Sequence, residues 1–146
     1  MKRFLALAAA VASAPLSAAT IEVASGDWSN IPEMTYKGYP RVPLEAALRI
    51  QESLASGECS VPGQSEKKFD LRVPFLVRFE PDGAVDKLVL QRVGCDRIED
   101  VVGQMALKIV QAGGYKPAKQ KNATGWYRGT IRFRAPGNAR APDTSF

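Results

Sequence analysis

From Leu71 to Phe79, apolar residues recur at every second position. Leu71, Val73, Phe75, Val77 and Phe79 point one way, and Arg72, Pro74, Leu76 and Arg78 point the other. A period of two belongs to a β-strand with one buried face. The run stops at Glu80-Pro81-Asp82-Gly83, where proline suits the second turn position and glycine takes the positive φ that follows. Ala84 to Val93 then returns, so residues 71–93 read as a β-hairpin. A lone hairpin is marginal in water, so the rest of the chain must supply a layer against its apolar face.

Both flanks offer one. Pro43 suits the first turn of a helix, Leu44, Ala47, Leu48 and Ala55 trace one stripe, and Ser56-Gly57 supplies the stop. This predicts a helix over 43–55. Asp96 opens a second helix, with Glu99 three residues on as an Asp-headed capping box. Ile98, Val101, Val102, Met105 and Ile109 form its amphipathic stripe, Met105 as core filling, and Gly113-Gly114 ends it. Trp126 to Arg134 alternates again, with Tyr127, Gly129, Ile131 and Phe133 on one side. The order helix-strand-strand-helix-strand predicts an α+β fold, a three-stranded antiparallel sheet in spatial order 2-1-3 with the helices packed on it. Pro74 would fall in the middle strand, where it removes a ladder bond, so a bulge or a ladder end is required there. Residues 20–42 read as an irregular lead-in, 43–134 as the domain, and the Pro/Gly-punctuated 135–146 as a disordered tail.

The N-terminus, Met1-Lys2-Arg3 followed by an apolar run from Phe4 to Leu16 and the small residues Ser17-Ala18-Ala19, has the three parts of a secretory signal peptide over 1–19. The apolar run is about a dozen residues, short of the ~20 needed to cross a bilayer; a retained anchor is the competing reading. Export implies a periplasmic, oxidising location, where the two cysteines, Cys59 and Cys95, are expected to pair, two free buried thiols being the alternative. The chain has 20 basic and 15 acidic residues. Loss of Lys2 and Arg3 with the leader lowers the net charge from +5 to +3, too mild a balance to argue for nucleic acid.

Histidine is absent, which excludes His-based triads, and two cysteines without histidine do not fill a zinc site. The cysteines are not in a Cys-x-x-Cys pair, which disfavours a redox motif. Asp82, Asp86, Asp96, Glu99 and Asp100 are assigned to turn and capping duties. The expectation is a non-enzyme with no metal or cofactor, and with membrane contact peripheral at most.

The stretch Val73-Pro-Phe-Leu-Val-Arg-Phe-Glu-Pro-Asp-Gly-Ala-Val-Asp-Lys-Leu-Val-Leu90, the helix after it, Gly114-Tyr-Lys-Pro-Ala118 and Thr130-Ile-Arg-Phe-Arg134 together resemble the C-terminal domain of TonB-family energy transducers. Tyr39-Pro40 resembles that family's Tyr-Pro element. The likeness covers roughly residues 39–134. It implies a closing strand whose free edge pairs with a short receptor segment, here at Arg128, Thr130 and Arg132, with Tyr39 and Pro40 nearby. The family's membrane helix and long Pro-rich spacer have no counterpart in this sequence, so the resemblance implies the fold and a protein-binding role, and a link to outer-membrane transport only in outline.

Two features of the closing strand therefore matter. Its outward face carries Trp126, Arg128, Thr130, Arg132 and Arg134, joined by Arg72 and Arg78 if the strand lies beside the first. Like charges side by side on a sheet cost stability. The arginines either pair with Glu45, Glu52 or Glu58 near the first helix, or form a surface for an acidic partner, a lipid head group or an anionic envelope polymer. The strand's free edge either accepts a partner strand or is protected by the C-terminal tail or by dimerisation. The leading expectation is a periplasmic interaction module binding a protein segment by strand addition; the alternative is a disulfide-stapled envelope structural protein using its basic face.

Overall fold

The structure, a computed structural model, describes residues 18–36, 42–117 and 124–137. In chain order the elements are β1 (Thr20–Ala24), β2 (Thr35–Tyr36), α1 (Leu44–Ala55), β3 (Asp70–Phe79), β4 (Val85–Gln91), α2 (Asp96–Gln111), β5 (Tyr115–Lys116) and β6 (Trp126–Arg134).

β3 and β4 form the expected hairpin. Gly83, at φ 88°, donates its N–H to the Glu80 carbonyl, and the Glu80 N–H reaches Ala84, both at 2.8 Å. The register slips between Arg78 and Phe79. β6 runs antiparallel to β3 over its whole length, from Arg78 opposite Trp126 to Asp70 opposite Arg134. The spatial order β4-β3-β6 is the one expected for these three strands.

The sheet is nevertheless mixed and four-stranded among the described residues, because β1 lies outside β4 and parallel to it, with Thr20 opposite Lys87 and Ala24 opposite Gln91. The stretch read as an irregular lead-in thus begins with a strand. Ile21 and Val23 share the face of Leu88 and Leu90, and this helix-side face supplies the core. The lead-in then contributes β2, which pairs with β5 in a separate two-stranded ribbon.

Both helices cover the same face of the sheet. Their buried sides bring Ile50, Ile98, Val102, Ala106 and Val110 against Val73, Phe75, Val77, Leu90, Ile131 and Phe133. The stripe expected on α1 is rotated: Ala46, Ala47, Ile50 and Ser53 are buried, whereas Leu44 and Leu48 are 63% and 46% exposed. Small side chains let α1 lie close to its neighbours, and Ser53 tolerates full burial because its hydroxyl donates to the Arg49 carbonyl of its own helix. α2 approaches β1 closely at Gly103, where a Cβ would stand 3.0 Å from Ile21 Cγ2.

The start of α2 differs from a capping box. Cys95 is the N-cap and makes no side-chain cap bond. Glu99, buried, instead accepts the N–H groups of Val93 and Gly94 at 2.7 and 2.8 Å, pinning the β4–α2 corner. Cys95 is disulfide-bonded to Cys59, with Cα atoms 5.5 Å apart, which ties the α1–β3 connection to the head of α2.

Pro74 is accommodated by a ladder end. The β3–β4 register stops at Phe75 opposite Leu90. Along β6 the even-numbered residues turn their peptide groups outward, as Arg128 does, so the rungs to β3 come from the odd-numbered ones. The proline nitrogen therefore faces β4 just beyond the last paired rung, where no ladder bond is required of it. No described helix is long and apolar enough to cross a membrane.

Candidate functional site

β6 is an end of the sheet, and its outer edge is used in two different ways along its length. At Arg128 it is covered. The segment Pro32–Met34 runs alongside in the parallel sense, with Met34 N–H donating to the Arg128 carbonyl at 2.8 Å and Arg128 N–H donating to the Pro32 carbonyl at 2.9 Å. The Arg128 side chain reinforces this strap: its Nε donates to the Ile31 carbonyl at 2.7 Å, and Nη2 stands 3.9 Å from Glu33. The expectation of an open edge at Arg128 is corrected accordingly, since both its backbone groups serve an internal partner.

From Thr130 onward the strap leaves the edge, because Thr35 and Tyr36 turn away to pair with Lys116 and Tyr115. A groove of about 740 Å³ opens along Thr130–Arg134 and continues to Ala135 and Pro136. No described strand lies against this part of β6. The two sides of the groove differ in chemistry. On the helix side stand Met34, Val42, Leu44, Ala47 and Tyr115, while Tyr36, 45% exposed, stands at one end. On the opposite side stand Arg72, Arg132 and Arg134.

Tyr115 is the hinge between the two regions. Its ring is buried edge-on against Phe75 at 5.3 Å and beside Tyr36 at 5.8 Å, and its hydroxyl donates to the Thr130 carbonyl at 2.7 Å. Burial pushes the phenol up to about 12, and the neighbouring Tyr36 adds to the shift. The residue was legible only as part of an aromatic-x-Pro-Ala turn. Met34 and Tyr36, two large side chains two positions apart in a polar stretch, were the available signal for the strap.

Three arginines of the outward face, Arg78, Arg128 and Arg132, are matched by acids other than those expected. Arg78 is hydrogen-bonded to Asp86 and its guanidinium lies 5.4 Å from the Trp126 ring centroid. Arg132 grips Asp70 through Nε and Nη2 at 2.7 and 2.5 Å. That bidentate bond holds the Asp70 carboxyl below the usual carboxylate range, with the charges of Arg134 and Arg72 assisting against a desolvation cost. Glu45 and Glu58, proposed partners from sequence, pair with Arg49 and Arg97 instead. Arg72 stands opposite Arg132, and no acidic side chain among the described residues pairs with Arg72 or Arg134.

The structure thus brings together Thr130, Arg132, Arg134 and Arg72 at the groove, sets Arg128 under the strap, and places Arg78 at the far end of β3. Tyr39 and Pro40 lie outside the described residues, as do residues 1–17 of the expected leader and 138–146 of the expected tail. Among the described residues no group of three or more Cys, Asp or Glu side chains gathers in a metal-binding arrangement. No family model matches the chain, and comparison with curated proteins and with solved structures finds no match.

Proposed function

We propose that the protein is a periplasmic interaction module, similar in kind to the TonB C-terminal domain, that binds an extended segment of a partner protein by strand addition at β6. The observation that carries this reading is the change of state along one edge: the chain lays its own residues 32–34 on β6 at Arg128, then withdraws and leaves a groove beside Thr130–Arg134. Backbone pairing supplies affinity in such a site and the alternating side chains supply selectivity. The exported location rests on the leader-like residues 1–19, and the Cys59–Cys95 disulfide agrees with an oxidising compartment.

The pairing of Arg78, Arg128 and Arg132 with acids of the same chain favours this reading over a broad surface for anionic polymers, because a guanidinium already gripped by a carboxylate offers little to a polyanion. A photoreactive residue at Thr130 should crosslink in living cells to a discrete protein. Recovery of water-quenched product alone would refute docking at this edge.

A further inference from the structure

We propose, resting on the strand-addition reading, that the segment taken up by the β6 groove alternates carboxylate and large apolar side chains, with its carboxylates over Arg72 and Arg134. A strand laid along β6 must send successive side chains to opposite faces of the sheet. On the helix side, one set meets the apolar wall of Met34, Val42, Leu44 and Ala47. Leu44, 63% exposed at the head of α1, is an apolar side chain awaiting cover.

The other set meets an unbalanced charge. Arg72, Arg132 and Arg134 share one sheet face, since Arg72 is opposite Arg132 and Arg134 is opposite Asp70. Three guanidinium groups surround the single Asp70 carboxylate, and Arg132 occupies both of its oxygens. Arg72 and Arg134 are left to an anionic occupant, and two arginines at the lip of an edge groove also disfavour a basic one. From Thr130 to Arg134 the edge runs about 13 Å, room for four or five extended residues. The chain's own residues 138–146 carry Asp143 as their single acid beside Arg140, a poor match to that pattern.

The test uses the folded chain lacking residues 1–19 and three fluorescent octapeptides, read by anisotropy. One alternates Glu and Val, one alternates Lys and Val, and one has four Glu followed by four Val. The alternating Glu/Val peptide should bind best, with the other two weaker by about tenfold or more, the scale expected from two exposed ion pairs. Arg72→Glu with Arg134→Glu should reverse the preference toward the Lys/Val peptide while leaving the far-ultraviolet dichroism unchanged. Thr130→Pro, which removes the outward N–H at that position, should abolish binding of every peptide while leaving the far-ultraviolet dichroism unchanged. Equal binding of the Glu/Val and Lys/Val peptides, both lost in Thr130→Pro, would overturn the acidic-alternating pattern and leave strand addition standing. Binding of none would overturn both. Binding that appears only once residues 138–146 are removed would make that stretch the groove's occupant and overturn the proposal.

Discussion

Tyr115 shows how much one side chain can fix. It is buried between Phe75 and Tyr36, and its hydroxyl bonds the Thr130 carbonyl at the point where the strap ends and the groove begins. An unfolded tyrosine ionises near pH 10, whereas burial holds Tyr115 as the neutral phenol up to about 12. Between those values the unfolded chain releases a proton that the native state keeps, so stability falls as pH rises across that window. In the folded protein, an absorbance titration should show a late-ionising tyrosine that is missing in Tyr115→Phe. Ionisation of all tyrosines together near pH 10 would contradict this environment. The same variant should lose about 0.5–1.5 kcal/mol of stability at neutral pH through the missing hydrogen bond.

Among the elements, β6 is tightly packed at Gly129. A Cβ on Gly129 would lie 2.8 Å from Met34 Cε and 2.9 Å from Phe75 Cζ, and the Phe75 ring is fully buried. Gly129→Ala should therefore destabilise the fold by about 1–3 kcal/mol in urea unfolding, the usual cost of overpacking. β3, α2 and β6 were legible because a buried face alternates with a more exposed one, which writes a period into the sequence, whereas β4, with Leu88, Val89 and Leu90 all buried, was legible from the turn that precedes it. α1 was placed correctly but turned the wrong way: its contact side is built of Ala46, Ala47, Ile50 and Ser53, while Leu44 and Leu48 of the expected stripe face outward. β1 was missed because its five residues follow directly on a leader-like run, leaving Ile21 and Val23 as its only alternation signal. The groove was legible as an edge from β6 alone, but its walls were not, since they come from Met34, Val42, Leu44 and Tyr115, which are distant in sequence and joined only by the fold.

At the scale of the whole molecule, one sheet carries both helices on a single face, and the Cys59–Cys95 bridge joins segments 36 residues apart. Replacing both cysteines with serine should lower the unfolding free energy by about 3–4 kcal/mol in the chain-entropy account, measured by denaturant midpoint; an unchanged midpoint would show that the bridge adds nothing to the packing around it. Because the bridge sits at the head of α2, away from β6, groove binding by the folded variant should persist. The strap has a further consequence for anything that docks. Its bonds to Arg128 act as a buffer at the end of a track, and the Tyr115 hydroxyl on the Thr130 carbonyl adds to it: a visiting chain would pair no further than the Thr130 N–H and would then peel off toward solvent. The length of any such match would thus be capped by the host, and sliding in that direction would be blocked.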